Sequence, residues 1–89
     1  MNEFTLSDNS GAHRYELLRD GVVAAHASYR LQDGAVVITH TEVLPGSEGR
    51  GIGSKLAAMV VGHLNGRGLP IVPQCEFMAS YIARHPEDG

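Results

Sequence analysis

The sequence has no tryptophan, one cysteine and only 6% aromatic residues. With Cys75 alone, neither an intramolecular disulfide nor a thiolate cluster of the kind that holds structural zinc can form, so this thiol serves packing or chemistry. Lys and Arg number 7 against 10 Asp and Glu, a formal net charge of -3, and the basic residues form no run. Non-specific nucleic-acid binding depends on clustered cations that neutralise several phosphates, so nucleic acid is not an expected partner. No apolar stretch approaches the ~20 residues of a membrane helix, and residues 1–10 lack the basic and apolar regions of an export signal. The expected location is the cytoplasm, with no membrane partner. His13, His26 and His63 fall on separate elements without a carboxylate-histidine pattern, so no metal site is expected.

What is present suits one domain spanning 1–89: 43% of the 89 residues are hydrophobic, enough to bury roughly 60–65% of the unfolded surface. Asp20-Gly21 and Asp33-Gly34 each lie between apolar runs, and Asp-Gly favours the positive backbone angles of a two-residue hairpin turn. They predict a meander with strands at 13–19, 22–31 and 35–43, and a further strand at 3–8 paired through Asn9-Ser10-Gly11. Val23, Ala25, Ala27, Tyr29 and Leu31 alternate along the second of these, which gives that sheet one better-buried face. On the same period Val36, Ile38, His40 and Glu42 share a face of the third.

From Gly51 the period changes. Ile52, Leu56, Met59, Val60 and Leu64 fall at helical spacing, and Gly66-Arg67-Gly68 supplies a C-terminal turn. Leu69 to Val72 reads as a short strand ended by Pro73, and Phe77, Met78, Tyr81, Ile82 and His85 form a second helical stripe that closes before Pro86. Strand, helix and strand in this order predict a parallel pair with a crossover.

The junction between the two halves, GSEGRGIGSKL at 46–56, packs four glycines and two basic residues into eleven positions. A glycine-rich turn from a strand into a helix presents unpaired N–H groups and the positive end of the helix dipole to an anion, and Arg50 and Lys55 sit where they could add charge. Alone, Gly-x-Gly-x-Gly fits an ordinary flexible turn as well. It lacks the Gly-Lys-Ser/Thr ending of a nucleoside triphosphatase loop and the spacing of a dinucleotide fingerprint.

Glu48-Gly49-Arg50-Gly51-Ile52-Gly53, followed by Ser54-Lys55-Leu56, resembles the coenzyme A pyrophosphate loop of the GNAT acetyltransferase superfamily, Gln/Arg-x-x-Gly-x-Gly/Ala, with Glu48 where Gln or Arg is usual. His40-Thr41-Glu42-Val43, Cys75-Glu76-Phe77, Tyr81-Ile82 and Arg84-His85-Pro86-Glu87 resemble the short, single-domain GNAT-like proteins. The resemblance implies an α+β, GNAT-like fold: an antiparallel N-terminal meander followed by β-α-β-α, forming a mixed sheet with two helices, splayed between its parallel strands to admit a pantetheine arm. It implies acetyl-coenzyme A as cofactor, with Thr41, Val43, Glu48, Gly49, Arg50, Gly51, Ile52, Gly53, Ser54, Tyr81 and His85 as its contacts. The longer acetyltransferases wall the acceptor pocket with helices between their first strands. Tight turns replace them here, so the implied acceptor is an amine on a broad or protruding partner such as a protein or peptide, and the implied state is a monomer or weak homodimer.

Three residues are candidates for catalysis. Cys75, just before the last helix, is a possible nucleophile activated by the helix N-terminus and the His40 imidazole, or else a small core residue. His40 and Glu42 are base and orienter, or else solvated strand-end residues. Tyr81 and His85, one turn apart, touch the cofactor or its leaving thiolate, or serve as core and cap. Two mechanisms stay open, direct attack by an amine deprotonated through Glu42 or His40 and transfer through a thioester on Cys75. The rival readings are a coenzyme A binding module without turnover and an interaction domain that binds nothing at its glycine turn.

Overall fold

The computed structural model describes residues 4–47 and 51–85. Five strands form one sheet in sequence order: β1 (Phe4–Asn9), β2 (Arg14–Arg19), β3 (Val22–Gln32), β4 (Ala35–Val43) and β5 (Ile71–Pro73). The first four are antiparallel neighbours and β5 runs parallel to β4. Helix α1 (Ile52–Gly66) connects the parallel pair, and α2 (Glu76–Arg84) follows β5. This is the mixed α+β architecture that the sequence leads one to expect.

The turns follow from their residues. Asp20 and Gly21 have φ of 51° and 86°, Asp33 and Gly34 of 53° and 79°, the left-handed angles that match a two-residue turn to the twist of its strands. Between β1 and β2 the chain makes a short 3-10 turn (Ser10–Ala12), capped by the Asn9 side chain, which accepts a hydrogen bond from the Ala12 N–H at 3.3 Å. Helix α1 ends with Gly68 at φ 71°. The Leu69 N–H reaches back to the Leu64 carbonyl at 3.0 Å and the Gly68 N–H to that of Asn65 at 3.1 Å, which satisfies carbonyls the helix leaves unpaired.

Ile52, Leu56, Ala57, Val60, Val61 and Leu64 of α1 and Met78 and Tyr81 of α2 join Tyr15, Leu17, Ala25, Ala27, Val36 and Ile38 in one apolar cluster. Both helices therefore cover the same face of the sheet. Leu17, Ile38, Leu56, Leu64 and Met78 are fully buried there, and each large aliphatic side chain so placed is worth about 2–5 kcal/mol against truncation to alanine. Among the described residues the opposite face carries no helix. Ser7, Glu16, His26 and Glu42 line up across it, because Ser7 pairs with Glu16, Glu16 with His26 and His26 with Glu42.

Two register shifts interrupt the ladders: Ala24 is an extra residue in β3, so the expected alternation from Val23 to Leu31 is corrected, with Ala24 buried and Leu31 70% exposed, and a second shift decides which residues of β4 reach which face. The β3–β4 register pairs Tyr29 with Ile38 but Ser28 with His40, so Thr39 is an extra residue in β4. Val36 and Ile38 lie in the core, whereas the side chains of His40 and Glu42 are 62% and 50% exposed. The single face that simple alternation assigns to Val36, Ile38, His40 and Glu42 is thus corrected: beyond Thr39 the strand turns Thr41 and Val43 toward the helices and His40 and Glu42 to the open face.

Candidate functional site

The parallel pairing of β4 with β5 is short, matching Val36 with Ile71, Val37 with Val72 and Ile38 with Pro73. The Ile38 carbonyl then accepts from both the Gln74 and the Cys75 N–H, at 3.0 and 3.1 Å, and the chain leaves the sheet for α2. Among the described residues strand β4 runs on alone on this side. Since the Leu44 N–H bonds across to Ala24 on β3, the alternation of an antiparallel ladder directs the backbone groups of Thr41 and Val43 to the open edge. A cavity of about 160 Å³ lies at this splay, lined by Thr41, Glu42, Val43, Gly53, Leu56 and Phe77.

The glycine loop meets the cavity at the start of α1. Glu48, Gly49 and Arg50, three of the expected cofactor contacts, lie outside the described residues. Gly51 is the N-cap at φ 68° and makes no side-chain cap, so the first-turn N–H groups at Ile52, Gly53 and Ser54 face outward without partners within the helix. Ile52 is buried in the core and can offer a ligand only its backbone, while Ser54 is exposed. Gly53 has a packing role as well: a Cβ built there would stand 3.0 Å from Cζ of Phe77, so its bareness lets α2 close against α1. The Lys55 ammonium lies 5.3 Å from the centre of the Phe4 ring, a cation–π contact that holds it toward β1.

Cys75 is the N-cap of α2. Its Sγ accepts from the Met78 N–H at 3.4 Å and lies 3.2 Å from the Thr41 hydroxyl, across the splay. His40 is not with it. The extra residue at Thr39 sends His40 to the open face, where its Nε2 is 3.6 Å from Oε1 of Glu42. The expected base and orienter are thus together, while the expected imidazole–thiol pair is not. The same Glu42 oxygen is 3.7 Å from Nε2 of His26, whose side chain is only 12% exposed. On the far side of His26, Glu16 accepts from the Asn9 amide at 3.1 Å and the Arg14 guanidinium at 2.9 Å, and these hydrogen bonds hold its carboxyl below the usual range.

Tyr81 and His85 stack with ring centres 4.3 Å apart, but Tyr81 is 4% exposed within the core and His85 ends the helix, its N–H on the Ile82 carbonyl. They fit the core-and-cap alternative. Leu56, Phe77 and His26 escaped the sequence reading as site residues. For Phe77 a signal was present: an aromatic side chain at the very start of a helix, opposite a glycine-rich helix start. For His26 there was none, because only the strand register sets it beside Glu42.

A family model described as GCN5-related N-acetyl-transferase matches residues 14–88. The fold is similar to the solution NMR structure of a GCN5-like protein from Staphylococcus aureus, at a TM-score of 0.67 and 23% identity over 97% of this chain and 82% of that one. A comparison with curated protein sequences found no match.

Proposed function

Because the chain belongs to the GCN5-related N-acetyltransferase family, we propose that it binds acetyl-coenzyme A in the splay between β4 and β5 and passes the acetyl group to an amine on the open face. The observation that carries this reading is the splay itself. Next to a cavity of about 160 Å³, Thr41 and Val43 direct backbone groups that no strand among the described residues shares toward the space an extended ligand would take, and the first turn of α1 offers N–H groups to an anion at the adjoining end. Residues and group fit: Thr41 and Val43 would hold the pantetheine arm, Gly51, Gly53 and Ser54 the pyrophosphate. Acetyl-coenzyme A supplies an acetyl group activated as a thioester.

An acceptor amine must lose a proton as its C–N bond forms and the C–S bond breaks. Glu42 lines the cavity with its carboxylate half exposed on the open face, so it can receive that proton directly or through water, with His40 beside it to pass the proton to solvent. Cys75 has a hydroxyl and an N–H as its neighbours. The absence of an imidazole at the sulfur favours direct transfer over a thioester on Cys75. With no helix over the open face among the described residues, an amine on a protein or peptide can approach without passing through a walled pocket, which supports a macromolecular acceptor.

Mass spectrometry of the protein incubated with acetyl-coenzyme A and a panel of peptides and small amines tests the reading. Acetylated peptide, released thiol and no lasting adduct on Cys75 are expected. Failure to bind coenzyme A would remove the reading, and binding without thiol release across the panel would leave a coenzyme A binding module. A lasting acetyl group on Cys75 that passes on to the amine would establish the covalent route instead.

A further inference from the structure

We propose that His26 is a positioning residue for Glu42, an inference that rests on the acetyltransferase reading for its role but not for its geometry. Three facts converge on this histidine. It sits directly opposite Glu42 in the β3–β4 register and directly opposite Glu16 in the β2–β3 register, so a carboxylate flanks it on each side. Its Nε2 is 3.7 Å from Oε1 of Glu42. Its Nδ1 is buried with no hydrogen-bond partner among the described residues.

Together these settle the tautomer. A neutral imidazole has one N–H and one bare nitrogen. A buried N–H without an acceptor is the more costly orphan, and Nε2 is the nitrogen that faces a carboxylate, so the proton belongs on Nε2 and the lone pair on Nδ1. The Nε2–H then points at Glu42, whose half-exposed side chain needs only a few tenths of an ångström to complete the hydrogen bond. His40, at 3.6 Å from the same oxygen, is 62% exposed against 12% for His26. His26 is therefore the fixed partner that holds the Glu42 carboxylate in one rotamer on the acceptor side.

The titratable and charged groups around it are Glu16 with its bound Arg14 on β2, and Glu42 and His40 on β4. With Glu16 tied to Asn9 and Arg14, Glu42 is the carboxylate left for His26 to engage.

Two measurements test this. The first needs no turnover: ring 15N NMR at alkaline pH should show His26 as the Nε2–H tautomer, and Glu42→Ala should shift it toward a mixture. An Nδ1–H tautomer in the native protein, or no response to Glu42→Ala, overturns the proposal. The second is the split between kcat and KM in two variants. His26→Phe should lose about tenfold in kcat with little change in KM, whereas His26→Gln, which keeps a donor near the Nε2 position, should recover most of kcat. Native kcat in a folded His26→Phe protein, or a His26→Gln protein no faster than His26→Phe, overturns the role. A native protein that shows the Nε2–H tautomer yet acetylates no amine overturns the acetyltransferase reading, with the His26–Glu42 link intact.

Discussion

The two faces of the sheet are built from the same strands and obey different chemistry. Under the helices, Tyr15, Leu17, Ala25, Ala27, Val36 and Ile38 are closed to water and their value lies in packing. On the other face His26 and His40 both approach one Glu42 oxygen, and Glu16 is hydrogen-bonded to Asn9 and Arg14, so polar contacts dominate there. Strand β4 contributes to both, and its extra residue at Thr39 lets an apolar stretch hand over to a polar one while the helices still find side chains to cover at Thr41 and Val43. A covered apolar stretch and an exposed polar one thus meet within nine residues of one strand.

The sharpest way to break that separation is to exchange its consequences. Ile38→Ala, in the covered half, should cost about 3 kcal/mol of unfolding free energy in denaturant titrations. Coenzyme A affinity of the fraction that remains folded should change little. Glu42→Gln, on the open half, should do the reverse. Thiol release with a peptide acceptor should slow by about a hundredfold, ~2.7 kcal/mol of barrier, with the unfolding midpoint nearly unmoved. If the two variants lose stability and rate together, the faces are coupled and the separation is wrong.

At the seam the effect should be smaller. Gly53→Ala brings a Cβ to 3.0 Å from the end of the Phe77 ring, which is 37% exposed and can swing outward. The higher helix propensity of alanine offsets the crowding, so Tm should shift by no more than about 3 °C. The displaced ring nonetheless reshapes the cavity, and calorimetry should find coenzyme A bound about tenfold more weakly, ~1.4 kcal/mol. Unchanged affinity would place the ligand away from Phe77.

The smallest expected effects are opposite responses to pH. Tyr29 lies on the covered face, where burial first and then its 2.7 Å hydrogen bond to Asp8 push its hydroxyl up to about 12 from 10.0. An acid whose folded value is raised stabilises the fold below its unfolded value and loses that contribution as pH climbs, here between 10.0 and about 12. Tyr29→Phe should flatten this alkaline loss in part, since burial also raises Tyr15. Glu16, on the open face, is lowered, so its contribution is complete above the ordinary carboxylate range and fades as pH falls through that range toward the lowered value. Glu16→Gln should flatten the acid limb, read from urea midpoints at a series of pH values.

Much of this was legible in the sequence for physical reasons that can be named. Asp20-Gly21 and Asp33-Gly34 state their own turn geometry, and the switch of period at Gly51 separates meander from helix. The register did not announce itself. Thr39 bears no local mark of an extra residue, because a bulge is a property of two paired strands, and without it His40 and Glu42 fall on the wrong face. The partnership of Thr41 with Cys75, the burial of His26 and the contact of Gly53 with Phe77 likewise arise between segments distant in the chain.

The open edge of β4 also bears on how the molecule avoids its own kind. A strand with outward-facing backbone groups is a template for any other strand, including the same segment of another copy. Here that edge is short, since Gln74 and Cys75 bond to Ile38 just before it. The bulge at Thr39 twists it, the capped start of α2 leans over it through Cys75 and Thr41, and Glu42 brings charge beside it. Each of these hinders an intermolecular sheet, so replacing Glu42 and His40 together by valine should turn this edge into a nucleus for aggregation, read as a rise in light scattering.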